Sequence, residues 1–401
     1  MSGAYEDSAL VCKGWASDRR VARQVRTLQA STADGTVLYS RPDPGNAAEL
    51  TLVGASLERL LAISGPGLLI VCDSAMGQPK TMREIDQAGV RFVVPLRASA
   101  GFRERFLTDA GHDAMRPVQY LPEREAKLAP GQRTRFRGVL RDWEIPASDT
   151  LPSLRLRVAY IHSSEEATQV ADARERALVK AEDALQRMRN GLGGRYYKTE
   201  AQVQRRIGQI IGVNITGLID AKVITPDGKL TLDWHRNQEA ITTTTSFDGI
   251  YALATNLPGR ITAGQVLRLY KDQQIVERRH RDIKQTLKVR PIFLHNDDRI
   301  HALISILGIS LLIFGLIEAR TRAALGETQQ LPGLLPEGRS AKPTGRNILA
   351  AFQGLGLTYT HTGIQLDPLT DTQQHILDLL QIQPPWPQQA DHSLTNRGKW
   401  G

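Results

Sequence analysis

The 401-residue chain contains only two cysteines, Cys12 and Cys72. Two thiols build neither a disulfide framework nor a cysteine zinc site, and a reducing compartment is the default for such a sequence. The phosphate loop GxxxxGK[ST], the zinc helix HExxH and paired CxxC ligands are missing. So is the GxSxG elbow of nucleophilic serine chemistry. The nine histidines are scattered, none at a ligand spacing. The N-terminus has neither a basic n-region nor an apolar h-region, so no signal peptide is expected. A strongly apolar run at residues 300–317 is interrupted by His301, two serines and two glycines. It lies at the short edge of membrane length and reads as a buried helix, with no membrane partner. No internal repeat is present.

What is there begins with charge. The net charge is +9 and the pI about 9.6, which argues for a polyanionic partner and says nothing of fold. Apolar content of 41% supports a core, and the length allows roughly two to three domains at about 150 residues each. Two runs flanking Ala33-Asp34-Gly35 predict a hairpin. A helix is expected over 47–63, a short buried strand over 67–72 (GLLIVC), a helix over 79–87 and a strand over 90–96. Hairpin, helix, strand, helix, strand is an α/β core. Residues 98–245 break the pattern with basic loops, a strand over 154–163 and a long charged helix over 165–190. Core-like patterning resumes at Phe247. The Pro- and Gly-rich residues 331–346 read as a linker before an amphipathic stretch and a polar tail.

One stretch carries chemistry. Tyr270, Gln273, Glu277 and Lys284 fall at offsets 0, 3, 7 and 14, within about 60° of one another on a helix. Arg278, Arg279, His280 and Arg281 make the rest of that surface basic. A carboxylate in a cationic field suits a helix that meets both a metal ion and a phosphate backbone. The plain alternative for Glu277 is a surface pair with Arg281 at i+4. Asp73 ends the apolar run 67–72 at the position where α/β sheets place ligand chemistry, with small or flexible residues after it. An aspartate there can equally cap the next turn. Two distant carboxylates converging on a basic face suit two-metal phosphoryl transfer. Arg97, Arg103, Arg105, Arg133, Arg135, Arg137 and Arg141 are candidate DNA contacts or solvated surface. Phe102, Phe106 and Phe136 among them are too few for a base-stacking platform.

Tyr270-x2-Gln273-x3-Glu277-x6-Lys284 resembles the Tyr-x2-Arg-x3-Glu-x6-Lys helix of a group of insertion-sequence DDE transposases, with glutamine at the arginine position. One phosphate-directed charge is therefore lost or moved to a neighbour such as Lys271. The resemblance extends over GWASDRR from Gly14, DPGN from Asp43, Asp73 in LLIVCDSAM, residues 247–256 and VRPIFLHNDDRIHAL from Val289. It implies a ribonuclease-H-like core interrupted by a large mixed α/β insertion. Residues 1–97 would be the first part of the core, 98–245 the insertion, 246–330 the second part and 331–401 linker and tail. Asp73 and Glu277 would be the second and third triad carboxylates, holding Mg²⁺ or Mn²⁺. Tyr270, Gln273, Arg278, Arg281 and Lys284 would face DNA. The implied partners are double-stranded DNA, at element ends and target, and a second protomer in a homodimer; the implied location is the cytoplasm. The first triad aspartate should lie on a strand upstream of the hairpin. Residues 1–13 hold only Asp7, outside any alternating apolar run, so that strand and its aspartate are expected to be absent. Three functions remain open here: an active transposase, a truncated inactive copy that binds DNA or full-length enzyme and inhibits it, and a ribonuclease-H-like nuclease unrelated to mobility.

Overall fold

The computed structural model describes residues 8–15, 21–47, 49–97, 101–149, 151–226, 229–273, 294, 296–326, 330–361 and 363–384. The chain forms two compact units, residues 1–65 with 272–401, and residues 66–271. Both are built from helices and strands, as the α/β patterning predicts.

The first unit opens with strands β1 (Cys12–Trp15), β2 (Val21–Ser31) and β3 (Val37–Pro44), an antiparallel sheet in that order, followed by helix α1 (Glu49–Ser64). The Asp-Gly signal makes the β2–β3 turn. Gly35 takes φ +87°, where a Cβ would be strained, and the Asp34 carboxylate accepts the Thr36 N–H at 3.0 Å.

The second unit contains β4 (Leu69–Val71), α2 (Pro79–Gln87), β5 (Arg91–Leu96), α3 (Phe102–Asp109), β6 (Arg116–Val118), β7 (Phe136–Ile145) and β8 (Leu154–Ser163). It continues through α4 (Ser164–Asn190), α5 (Glu200–Ile210), β9 (Ile219–Ile224), β10 (Thr231–Arg236), α6 (Gln238–Thr245), β11 (Ile250–Thr255) and α7 (Ala263–Asp272). Six strands form one sheet in the order β4-β5-β11-β8-β7-β6, with β4 and β5 parallel and every other pairing antiparallel. Strands β6, β7 and β8 thus share a sheet with β4, β5 and β11, so the compact unit does not divide at the expected boundaries near residues 98 and 245. The reason is visible in β7. Its arginines Arg137 and Arg141 interleave with buried Phe136, Gly138 and Val139, so a half-buried strand reads in sequence as a basic loop.

Buried Asn256, just past β11, joins three elements. Its side-chain NH₂ donates to the Asp86 carboxylate (2.7 Å) and to the Val90 carbonyl (3.0 Å), while its oxygen accepts the Phe92 N–H (2.8 Å). Ahead of β11, the Arg174 guanidinium grips the Asp248 carboxylate with two bonds, 2.8 and 2.6 Å, tying α4 to the strand's entry. A second core lies outside the sheet. There Leu178, Ala181, Leu185 and Met188 of α4 pack on Val203 and Ile207 of α5 and on Leu232 of β10. Ser163 caps α4, and Thr199 with Gln202 forms a capping box on α5.

The remainder of the first unit comprises α8 (Asp297–Leu325), β12 (Leu331–Leu335), β13 (Arg339–Ala341), α9 (Gly345–Ala351), β14 (Leu357–Thr360), β15 (Gly363–Leu366) and α10 (Asp371–Leu380). Helix α8 contains the apolar run and packs on β3, α9 and α10. Among the described residues it is the one helix long and apolar enough to cross a membrane. Gly315 on α8 allows the β2–β3 turn to approach, because a Cβ there would lie 2.8 Å from the Gly35 carbonyl oxygen. Residues 331–346 are no linker. They form the β12–β13 hairpin and enter α9, and Leu331 and Leu334 are buried with Ile348 and Ile376. Gly333 and Gly338 take left-handed φ (+74° and +73°) within the fold, so the composition that suggests a linker marks folded turns. The polar tail from residue 385 lies outside the described residues.

Asp297, in the first turn of α8, fastens the amino-terminal segment. It accepts the Ser8 hydroxyl (2.5 Å) and the Ala9 (2.8 Å) and Leu10 (3.4 Å) N–H groups. The Ser8 bond leads in holding its carboxyl below the ordinary range, against an opposing effect of burial and with help from the Ala9 and Leu10 amides. The folded value is depressed, so the ionised form is the stabilising one. Its contribution is complete above the unfolded value of about 3.9 and is lost as pH falls through the folded value. Acid titration of thermal stability is therefore expected to show a loss below about pH 4 that Asp297→Asn reduces. Separately, Asn256→Ala leaves the buried Phe92 N–H and Val90 carbonyl without these partners. It is expected to cost about 2–6 kcal/mol, at roughly 1–3 kcal/mol for each of the two buried unpaired groups, measured as a lower urea midpoint.

Candidate active site at the carboxyl end of the parallel strands

Strand β4 is short and wholly apolar, and it pairs in parallel with β5 through Leu69↔Arg91, Ile70↔Phe92 and Val71↔Val93. The Cys72 N–H still donates to the Val93 carbonyl (3.2 Å). The chain then leaves the sheet at Asp73, which is exposed, and enters the 3₁₀ turn Ser74–Met76. Gly77 closes the turn against β5, where a Cβ would sit 2.5 Å from the Pro95 carbonyl oxygen. Burial, and then the negative charge of Asp73, push the Cys72 thiol up to about 12. Cys72 therefore stays neutral, and the charge at this strand end belongs to the aspartate.

Strand direction decides what else lies here. Strands β5 and β8 run one way and β7 and β11 the other, so the carboxyl ends of β4, β5 and β8 meet the amino ends of β7 and β11. Helix α7 reaches the same end. Thr262 and Gln265 cap its start, with Gln265 N–H to the Thr262 hydroxyl at 3.2 Å and Thr262 N–H to the Gln265 oxygen at 2.8 Å. Ala263, Val266, Leu267 and Tyr270 then recur at helical spacing and pack on the sheet. The Tyr270 ring lies 6.5 Å from that of Tyr251, the second residue of β11. Asp73 and Tyr270 thus belong to one end of one sheet.

The other expected site residues divide as follows. Gln273 is half-buried just past α7 and falls in the other compact unit. Glu277, Arg278, Arg281 and Lys284, and most of the helix expected over 270–284, lie outside the described residues, as does Asp7. Strand β1 (CKGW), upstream of the hairpin, carries no carboxylate.

Sequence reasoning missed a polar group under α7. Lys271 pairs with Glu166 of α4 at 3.1 Å and lies 5.5 Å from the centre of the Tyr251 ring. Its charge is neutralised within the fold, which bears on its capacity to stand in for the arginine that Gln273 replaces. The Tyr251 hydroxyl is buried and has no hydrogen-bond partner among the described residues, and burial first, then Glu166, raises its pKa. The signal for this group is Glu166 at the start of a helix that follows a strand, legible only once β8 and β11 are known to be neighbours. The arginine-rich stretch also changes meaning. Arg105 pairs with Asp109 and lies over the Trp143 ring, Arg103 lies over Phe247, and Arg133, Arg137 and Arg141 donate to backbone carbonyls.

An exposed carboxylate where the parallel strands of an α/β sheet end, with α7 packed at the same end, is what the described residues bring together here. Residues 13–313 match the transposase DDE domain, and the chain belongs to the DDE transposase family, whose members are DNA phosphoryl-transfer enzymes that generally use divalent metal ions. No curated protein matches the chain. The Asp73 carboxylate is a hard oxygen donor, the ligand type that a hard divalent cation takes. Among the described residues no three His, Cys, Asp or Glu side chains cluster as a ligand set.

With a thiol value near 12, roughly one Cys72 in ten thousand is thiolate at pH 8. In a Cys12→Ser background, disulfide-exchange labelling at that pH is expected to be negligible in the native protein and complete in denaturant.

Proposed function

We propose that the chain is the DNA transposase of an insertion sequence, cutting phosphodiester bonds at the element's ends and joining the freed 3′-hydroxyl to target DNA. The observation that carries this reading is the shared sheet end. Asp73 leaves the parallel strands where α7 arrives with Tyr270, a few residues before Glu277. The family match spans both carboxylates. In this reading the core is ribonuclease-H-like, and residues 98–245 are an insertion whose strands extend the core sheet.

Asp73 and Glu277 would hold Mg²⁺ or Mn²⁺, which when bound neutralises charge on the phosphoryl oxygens and favours the ionised nucleophile. Tyr270, Gln273, Arg278, Arg281 and Lys284 would grip the DNA backbone through a phenol, an amide and cations, fixing the phosphodiester in line with the attacking water or 3′-hydroxyl. Cys72, held neutral, leaves the strand-end charge to Asp73. Double-stranded DNA is the substrate, two protomers pair two element ends as a homodimer, and the enzyme works in the cytoplasm.

The test is cleavage of duplexes carrying the element ends, with Mg²⁺ or Mn²⁺. Asp73→Asn and Glu277→Gln are each expected to lower cleavage on the order of a thousandfold or more, with DNA affinity unchanged, as for groups acting mainly in the transition state. Full cleavage by Glu277→Gln sinks the assignment. So does a wild-type protein that binds these duplexes and cuts them with neither cation.

A further inference from the structure

Helix α4 presents three different sides. Leu178, Ala181, Leu185 and Met188 form its buried stripe. Glu175 and Glu182, seven residues apart, receive the guanidinium of Arg236 from β10 through bonds of 2.8 to 3.0 Å. Lys180 and Arg187, also seven apart, stand roughly 140° around the helix from the glutamates and are exposed. Arg236 thus engages the acidic side within the fold, whereas Lys180 and Arg187 face solvent, with Asp183 between them and its carbonyl accepting the Arg187 Nε–H at 3.2 Å.

That basic side borders a cleft of about 400 Å³ between α4, α5 and the 3₁₀ turn Val213–Ile215. Lys180 and Arg206 line it, with the side-chain amides of Gln209 and Asn214 and a floor of alanine and isoleucine. No carboxylate lines it. Among the described residues neither cation meets a carboxylate, and Arg206 donates only to the neutral Gln209 oxygen, at 2.9 Å. Other cations of this unit differ. Arg174 is paired with Asp248, Arg124 with Glu165 and Lys271 with Glu166. At the cleft mouth Val213 is 93% exposed, an apolar edge beside the charges.

We infer that this cleft seats the phosphate backbone of duplex DNA, a contact apart from the acidic sheet end. Lys180 and Arg206 take phosphate oxygens, the two amides donate to the same strand, and Val213 lies against a deoxyribose. An extended polyanion fits better than a small phosphate ester. Lys180 and Arg187 are about 10 Å apart along the helix axis, close to the rise of three nucleotides at about 3.4 Å each. A single phosphate reaches one of them, whereas a strand reaches both. The inference rests on the DNA-processing reading above.

The test measures binding of full-length protein to a fluorescein-labelled duplex of random sequence, by anisotropy across a salt series. Lys180→Glu with Arg206→Glu is expected to weaken binding tenfold or more and to reduce the slope of log K against log salt by about 2, at about 0.9 per phosphate contact. Lys180→Gln with Arg206→Gln is expected to give the same change in slope with a smaller loss. A charge-matched control, Lys80→Glu with Arg339→Glu at two other exposed positions, is expected to leave the slope near wild type. Unaltered binding by both cleft variants, or an equal effect of the control, removes the cleft while leaving the transposase reading in place. A wild-type chain that binds no duplex at low salt overturns both.

Discussion

Strand β11 hydrogen-bonds along both its edges, to β5 on one side and β8 on the other. The rest of the second unit depends on that placement. Without β11, the parallel pair β4–β5 and the antiparallel meander β6–β8 would be separate small sheets with open edges. With it, residues far apart in sequence share one sheet, and one end of that sheet collects Asp73, Tyr251 and the close of α7. The strand is held at both its ends by polar side chains. Arg174 and Asp248 secure its entry, and Asn256 secures its exit against Phe92, Val90 and Asp86. Each bond lies in a buried or half-buried setting, where an unmade hydrogen bond is costly, so the register has little freedom.

Charge is distributed by the same logic. A net charge of +9 is a property of the whole chain, yet its cations have very different fates. Arg103, Arg105, Arg133, Arg137 and Arg141 lie over aromatic rings or donate to carbonyls, holding loops and helix ends in place. Arg236 bridges two glutamates of α4. What faces solvent unpaired on α4 and α5 is a smaller set, and its location differs from where arginine density alone points. Positive charge is most available to a nucleic acid where no carboxylate already neutralises it.

The strand-end aspartate gains its character from its neighbours. Cys72 precedes it inside the sheet and is kept neutral by burial. Gly77 follows it and lets the turn close against β5. The carboxylate is left at the mouth of an apolar strand, exposed, with compact chain on both sides. Such a position joins a rigid support to an open approach, and phosphoryl-transfer chemistry needs both.

Several elements were legible in the sequence because their causes are local. The Asp34–Gly35 turn follows from a φ that suits glycine and a side chain that bonds its own backbone. Strand β4 follows from an unbroken apolar run, and α4 from a capped, periodic stretch ended by Gly191. Asp73 and the spacing of Tyr270, Gln273, Glu277 and Lys284 follow from the residues themselves, and the family match over 13–313 agrees with that resemblance. Other features had distant causes. Strand β7 reads as a basic loop until β8 and β6 pair with it, and 331–346 reads as a linker until Leu331 and Leu334 find Ile348 and Ile376. The pairing of Lys271 with Glu166 joins residues more than a hundred positions apart. The sequence by itself determined the Asp-Gly turn, helices α1, α2, α4 and α8, the strand that leads to Asp73 and the family. Only the tertiary structure decided which strands became neighbours and which cations stayed free, because both depend on partners that the chain brings together by folding.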